Sequence, residues 1–476
     1  MSDCRRFYVD GEWRDAGARA QRSIVDPATE LPQGSVSLGD AADVGEAVAA
    51  ARRAFAAYSA TSREERIALL ERLGAAYMDR FEDIAQAISR EVGAPIQLAR
   101  GLQAQTGILH IQTYAQILRD YSFDDDRGTT RIAREPIGVC GLITPWNWPI
   151  NQICVKLIPA LAAGCTVVLK PSEVTPTCAS ILAEVMDAAG VPAGVFNLVH
   201  GLGPEAGAAI ASHPDVDMVS FTGSTRAGIE VGRAAAATVK RVALELGGKS
   251  PFVLLPEADL EAAVGGCADW ILLNSGQSCS APTRLLVPAE RLEEVTELAR
   301  ARLSTAVIGD PSSEATTMGP VVSRTQWDRV QRLIQSGIDQ GARLALGGPG
   351  LPAGRDRGYF VRPTLFTGVS NDMTIAREEI FGPVLCILAY RDEQEAVAIA
   401  NDTPYGLAAY VASRDLELAR RVARQLRAGS VYINGAGIDP LAPFGGYKQS
   451  GNGREWGVLG LEEYLEVKSM PGYGAA

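Results

Sequence analysis

The first strong periodicity along the chain is helical. In DVGEAVAAARRAFAAY, Val44, Val48, Ala51, Phe55 and Tyr58 recur at alternating spacings of four and three, which puts them on one helix face. SREERIALLERLGAAYMDR continues with the same period and opens on Ser62 and Glu65, three residues apart, a pair able to satisfy each other's backbone N–H groups at a helix start. From about residue 138 the pattern changes to short apolar runs, VCGLIT, TVVLK, GVFNLVH, DMVSFTG and RVALELG, separated by stretches such as TPTCASILAEVMDAAG. Short apolar runs alternating with helical segments predict a parallel sheet covered by helices.

A second round begins with PFVLLPEADLEAAVGGCADWILLNS. Helices are expected near 289 to 305 and 324 to 340, where Trp327, Val330, Ile334 and Ile338 share a face, and strand and helix signals run on to about 433. A second α/β domain is the expectation. RDYSFDDDRGTTRIAREPI, residues 119 to 137, has a charged turn between strand-like arms and interrupts the first domain; LEEYLEVKSM in the tail alternates like another strand. Strands left in this way need pairing partners, which either the parent sheet or another subunit would supply.

Composition narrows the function. A chain of 476 residues with 47% hydrophobic and 21% charged side chains is long enough for two or three domains with sizeable cores. The net charge of -11 and the lack of any Lys or Arg run exclude a polyanion such as nucleic acid as the expected partner. The longest apolar run, 153 to 169, is broken by Lys156, Pro159 and Gly164, so no membrane span is expected, and the charged opening MSDCRRFYVDGEWRDAG predicts a cytoplasmic protein. Eight cysteines without CxxC or zinc-ligand spacing predict neither disulfides nor a bound metal. The three histidines, His110, His200 and His213, read as structural, which leaves a carboxylate as the better candidate for a base.

Five segments could carry chemistry. In NSGQSCSAPTR, Cys279 is either a nucleophile or a packing thiol. DMVSFTGSTRAGIEVGRAAA runs from strand through Gly223 and Ser224 into a helix, an arrangement that favours phosphate without matching GxGxxG. TVVLKPSE ends a strand with Lys170, Ser172 and Glu173 at its C-terminal edge, where ligands sit in open α/β sheets. Glu245, inside VALELGGKSP, is either a base whose pKa burial raises or the partner of a lysine such as Lys249. TPWNWP frames Asn147 either as a donor to an oxyanion or as a turn residue.

Together the motifs resemble the NAD(P)-dependent, non-acylating branch of the aldehyde dehydrogenase superfamily. TPWNWP, KPSE, FTGS, ELGGKSP, GQSCSAPTR, EEIFGP, NDTPYGL and PFGGYKQSGNGREWG occur in the family's order and cover nearly the whole chain. The resemblance implies an α/β fold with a Rossmann-like cofactor domain over 1–118 and 138–248, an α/β catalytic domain over 249–461, and a β-hairpin oligomerisation arm built from 119–137 and 462–476. It implies a homodimer or homotetramer. Carried over, Cys279 is the nucleophile, Glu245 the general base and Asn147 an oxyanion donor. Lys170 and Glu173 would hold the adenosine ribose, with Gln326 at the same ribose. Trp146 and Ser224 would hold the pyrophosphate, Glu379 and Phe381 the nicotinamide end, and Ser172, Gly223 and Leu246 complete the cofactor site.

That family oxidises an aldehyde to the free acid through a cysteine thiohemiacetal and thioester, and hydrolysis of the thioester needs a base of near-neutral pKa. A carboxylate at Glu173 suits a ribose diol and repels a 2′-phosphate, so NAD is the expected cofactor, with Lys170 leaving NADP possible. Trp148, Gln152, Ile153, Ser278 and Ser280 would line the substrate pocket. No arginine flanks Cys279 directly, which predicts a neutral, medium-sized aliphatic or aromatic aldehyde; Arg284 is the residue that could reverse this. The alternatives are a semialdehyde dehydrogenase, a coenzyme A-acylating enzyme and a catalytically silent homologue.

Overall fold

The computed structural model describes residues 2–474 and is built around two large sheets. The first has eight strands in the spatial order Gly451–Asn452, Arg241–Glu245, Met218–Thr222, Val139–Ile143, Thr166–Lys170, Phe196–Leu198, Arg6–Val9, Glu12–Asp15. The middle strands, from Arg241–Glu245 to Phe196–Leu198, run parallel. Val139–Ile143, Thr166–Lys170 and Met218–Thr222 are buried along their full length, because helices cover both faces. The second sheet has seven strands, in the order Arg343–Leu346, Thr364–Thr367, Val384–Tyr390, Arg284–Pro288, Pro251–Leu254, Ala408–Ala412, Ser430–Ile433, all parallel except the first.

The helices expected from periodicity are present. Ala41–Ser59 buries Val44, Val48, Ala51 and Tyr58, while Phe55 is half-buried. Arg63–Asp79 carries the reciprocal cap: the Glu65 N–H donates to Ser62 Oγ at 3.1 Å and the Ser62 N–H donates to Glu65 Oε2 at 2.7 Å. Leu292–Leu303 and Arg324–Asp339 fill the two later positions, the second burying Val330 and Ile334.

Thr130–Pro136 pairs antiparallel with Asp124–Arg127 on one side and with Leu465–Pro471 on the other, so the interrupting hairpin and the tail form one three-stranded sheet. A second small sheet, Ser2–Cys4, Pro32–Ser37 and Gln21–Val25, has no counterpart in the periodicity reading. Its strands are short, and Gln21, Arg22 and Ser23 are all exposed, so no apolar alternation marks them. Among the described residues no helix is long and apolar enough to cross a membrane, and all eight cysteines are free.

The topology gathers the motifs at one end. Asn147 follows Val139–Ile143, Glu173 follows Thr166–Lys170, Ser224 follows Met218–Thr222, and Glu245 ends its own strand. These are C-terminal ends of adjacent parallel strands, the edge where open α/β sheets bind ligands.

Candidate active site

Cys279 sits on the short connection between the helix Leu260–Leu272 and the strand Arg284–Pro288. Its position is set by a left-handed run: Asn274 has φ 51°, Ser275 φ 56° and Gly276 φ 73°. Two side chains pay with hydrogen bonds for that backbone, since left-handed non-glycine residues are costly. Asn274 Nδ2 donates to the Asn147 carbonyl at 2.9 Å and Ser275 Oγ donates to the Gly319 carbonyl at 2.8 Å. Gln277 closes the loop, donating to the Asn274 carbonyl at 3.0 Å while its Oε1 accepts the Val322 N–H at 2.8 Å. Asn147 is buried and donates Nδ2 to the Gln277 carbonyl at 3.1 Å, which leaves its second N–H available beside the cysteine loop. Trp148 Nε1 donates to Ser278 Oγ at 2.9 Å, so the tryptophan frame and the cysteine loop form one unit.

Cys279 keeps partial exposure, unlike the other seven cysteines, which are buried. Its thiol is pushed above the usual range by burial, then by the carboxyls of Glu379 and Glu245. Glu245 itself is buried, and burial together with the facing charge of Glu455 lifts its carboxyl well above the ordinary value, against the opposing pull of Lys156 and Arg454. Neither Glu245 oxygen has a hydrogen-bond partner among the described residues. Lys249 is not its partner: that lysine is buried with Nζ unpaired and is lowered to about 8 by desolvation, leaving the base reading of Glu245 in place.

The sequence reading missed what stands behind Glu245. Lys156, fully buried on the helix Pro149–Ala163, pairs with Glu455 and donates to Ser220 Oγ at 3.1 Å. Glu455 is fixed by an isolated bridge in which its backbone and that of Phe444 exchange N–H···O bonds at 2.7 and 2.8 Å. A signal was present: a lysine inside the longest apolar run must find a buried anion, because an unpaired interior ammonium is prohibitively costly.

A second set of residues forms a cradle that meets the cysteine loop at Gly248. Ser224 caps the helix Thr225–Ala236 through its Oγ, which accepts the Ala227 N–H at 3.3 Å, leaving first-turn N–H groups aimed at the loop. Gly228 lets that helix approach closely: a Cβ there would come within 2.5 Å of Leu246. Trp146 packs edge-on against Phe381 with ring centroids 5.3 Å apart. Phe381 has φ 60°, and Gln326 Nε2 holds this turn by donating to the Ile380 and Phe381 carbonyls at 3.2 and 2.7 Å. Glu379 Oε1 accepts the Gly248 N–H at 2.9 Å, and its carboxyl is raised to about 7 by burial. Lys170 and Glu173 pair at 3.4 Å, burial lowering the lysine; Ser172 Oγ accepts the Val174 N–H at 3.2 Å.

Gly247 and Gly248 join the halves, since a Cβ at Gly248 would lie 2.4 Å from the Cys279 carbonyl and one at Gly247 would lie 2.3 Å from Glu379. Of the remaining sequence candidates, Gln152 and Ile153 are buried on the helix after Asn147, Gln152 with its Oε1 unpartnered. The Ser280 carbonyl accepts from the Tyr410 hydroxyl at 3.0 Å. Arg284 is fully buried and spent on structure, donating to the carbonyls of Lys249, Ile399 and Ala400 and to Asn371. The histidines stay outside the site: His110 meets Asn151 at 2.9 Å and burial lowers it to about 4, His200 meets Ser180 at 3.1 Å, and His213 Nδ1 accepts the Asp215 N–H.

The Aldehyde dehydrogenase family model matches residues 13–470. A Pseudomonas protein named 3-succinoylsemialdehyde-pyridine dehydrogenase is 57% identical over 99% of both chains. A mutant of aldehyde dehydrogenase C from Pseudomonas syringae, solved in complex with NAD+ and octanal, superposes with a TM-score of 0.98 at 53% identity, covering 99% of this chain and 98% of that one. Betaine aldehyde dehydrogenase from Staphylococcus aureus in complex with NAD+ gives 0.94 at 35% identity, over 99% and 96%.

Proposed function

Because the chain belongs to the aldehyde dehydrogenase family, we propose that it oxidises an aldehyde to the free carboxylic acid with NAD, using Cys279 as nucleophile, Asn147 as oxyanion donor and Glu245 as base. The observation that carries this reading is the buried Glu245 carboxyl, raised and without a hydrogen-bond partner among the described residues, near enough for its charge to act on the partly exposed Cys279 thiol. A base that must take a proton near neutral pH has to be raised and unoccupied, and a merely structural glutamate would be paired.

NAD fits the cradle. The first turn of Thr225–Ala236 would receive the pyrophosphate beside Trp146, Lys170 and Glu173 the adenosine ribose, and Glu379 the nicotinamide end, with Gln326 acting by holding the Phe381 turn. Bound there, NAD supplies the hydride acceptor. The Cys279 sulfur, as thiolate, adds to the aldehyde carbon, and the new oxyanion is met by the spare Asn147 N–H and the Cys279 backbone N–H. Once hydride has left that carbon a thioester remains. Glu245 then takes a proton from the attacking water, the carbon–sulfur bond breaks, and acid and free thiol result.

For the substrate we favour an uncharged aldehyde of medium size. Arg284 is tied to backbone carbonyls and turned away from this role, one relative is named for a pyridine-bearing semialdehyde, and one neighbour was solved with octanal. The division 1–118 with 138–248, 249–461, and 119–137 with 462–476 belongs to the same proposal, as does a homodimer or homotetramer. Val467 lies exposed on the edge strand Leu465–Pro471, and Ser430–Ile433 ends the second large sheet, so each leaves an unpaired edge for a second copy. Eight free cysteines suit a reducing compartment such as the cytoplasm.

The test is formation of reduced nicotinamide across a panel of neutral aldehydes and semialdehyde acids, with and without coenzyme A, beside Cys279→Ser. Free acid from a neutral aldehyde by the wild-type protein alone is the expected result. Acyl-coenzyme A as product, or best kcat/KM on an acid-bearing semialdehyde, overturns the corresponding part.

A further inference from the structure

Glu173, on the reading above, meets the ribose of the cofactor, and it does not stand alone with Lys170. Its Oε2 lies 3.4 Å from Lys170 Nζ and its Oε1 lies 3.4 Å from Nη1 of Arg22, a residue 151 positions away. Each carboxylate oxygen therefore has a cation of its own, and the three side chains together carry one net positive charge.

Arg22 reaches this place from the small N-terminal sheet. On Gln21–Val25 alternate residues share a face, so Arg22 projects on the side of Ile24, which is buried with Cys4 and Val36. That sheet is anchored just behind the Lys170–Glu173 turn: Val36 is the register partner of both Arg22 and Cys4, and Cys4 Sγ lies 3.6 Å from Thr177 Oγ1, at the start of the helix that follows the turn. The backbone that presents Arg22 is thus fixed, but its guanidinium is not. Other arginines in the protein grip carboxylates in two-pronged contacts, Arg19 on Asp43 at 2.9 and 3.1 Å for example. Arg22 has one long contact, no other hydrogen-bond partner among the described residues, and nearly half of its side chain (47%) in solvent. Most of its five N–H donors are unspent.

We propose that Arg22 is a cofactor-selectivity residue that lets this enzyme accept the 2′-phosphate of NADP despite Glu173. A planar, loosely held guanidinium is the side chain best matched to a phosphate, and by pairing with Glu173 it removes the repulsion that a bare carboxylate would exert. With a ribose diol in place Glu173 accepts the hydroxyl protons. With a 2′-phosphate in place Arg22 and Lys170 turn their donors to its oxygens, and Glu173 loses its role.

The experiment measures binding by calorimetry of adenosine 2′,5′-bisphosphate and adenosine 5′-monophosphate, which report the 2′-phosphate without any catalysis, to wild type, Arg22→Ala, Arg22→Lys and Glu173→Ala. KM and kcat with NADP and NAD are measured in parallel. Wild type should bind the bisphosphate at least as tightly as the monophosphate. In Arg22→Ala the bisphosphate-to-monophosphate affinity ratio should fall by about tenfold or more, as expected for charge-assisted hydrogen bonds, with the loss in KM for NADP rather than in kcat; Arg22→Lys should restore part of it. Glu173→Ala should move the ratio the other way. Wild type that prefers the monophosphate, or a ratio unmoved in Arg22→Ala while Glu173→Ala shifts it, overturns the role of Arg22 and leaves the ribose reading standing. A ratio unmoved in both variants overturns the ribose reading and the role of Arg22 with it.

Discussion

Glu455 faces Glu245 across the buried end of the first sheet, and its charge is the largest contribution after burial to the raised Glu245 carboxyl. Lys156 binds Glu455 and so is kept from acting on Glu245 alone. Glu455→Gln removes the like charge and leaves Lys156 facing Glu245, and both changes favour the ionised form. The Glu245 pKa should fall. Since a base works only when unprotonated, the rising acidic limb of the kcat–pH profile should move to lower pH, and kcat at its plateau should drop because the base is weaker. A limb unmoved in Glu455→Gln would remove Glu455 from the proton chemistry.

On the proposed mechanism, Glu245→Gln separates the two halves of the reaction. The amide cannot take a proton from water, so thioester hydrolysis should slow by about a hundredfold to ten thousandfold, while formation of the thioester at Cys279 proceeds. Rapid mixing should show a burst of reduced nicotinamide equal to the enzyme concentration, followed by almost no turnover. A proportional loss of the burst itself would place Glu245 before the thioester instead.

The free thiol of Cys279 is held protonated by its burial and by Glu379 and Glu245. Alkylation of Cys279 by iodoacetamide in the cofactor-free protein should therefore climb steadily with pH from 7 to 9, roughly tenfold per unit, because only the thiolate reacts. Mass spectrometry on the Cys279 peptide checks this. A rate already level at neutral pH would mean that the site carries a preformed thiolate.

Much of this site was legible in the sequence because its parts end regular elements. Asn147, Glu173, Ser224 and Glu245 close apolar runs whose period marks them as parallel strands, and the topology of such a sheet brings those ends together. Glu455 was not legible, since it lies in the short connection between the two-residue strand Gly451–Asn452 and the helix Gly457–Glu462, where no apolar period marks it. Lys156 was visible but read as an interruption of an apolar run, when in fact it is buried with its anion 299 residues away. Arg22 and Glu173 meet through a sheet too short and too polar to show a period. Asn274, Ser275 and Phe381 are left-handed without being glycines, held by side-chain hydrogen bonds and packing, so of the cysteine-loop run only Gly276 carries a residue type that signals such backbone.

Gly276 belongs to the left-handed run that places Cys279, the proposed nucleophile. Its φ is 73°, and a Cβ would lie 2.2 Å from the Gly382 carbonyl, next to the Phe381 turn. Gly276→Ala must push the Cys279 loop and the Glu379–Phe381 segment apart, and neither can give way freely: Ser275 is tied to Gly319, and Gln326 holds the turn. The substitution should cost about 2 kcal/mol or more of stability, and an ångström-scale shift of the sulfur should lower kcat about a hundredfold. Gly265→Ala is the control: it lies in the helix Leu260–Leu272 and its added Cβ meets nothing within 4 Å. There alanine should leave kcat intact and stabilise by about 0.5–1 kcal/mol through helix propensity. Equal kcat in the two variants would show that the left-handed run does not position Cys279.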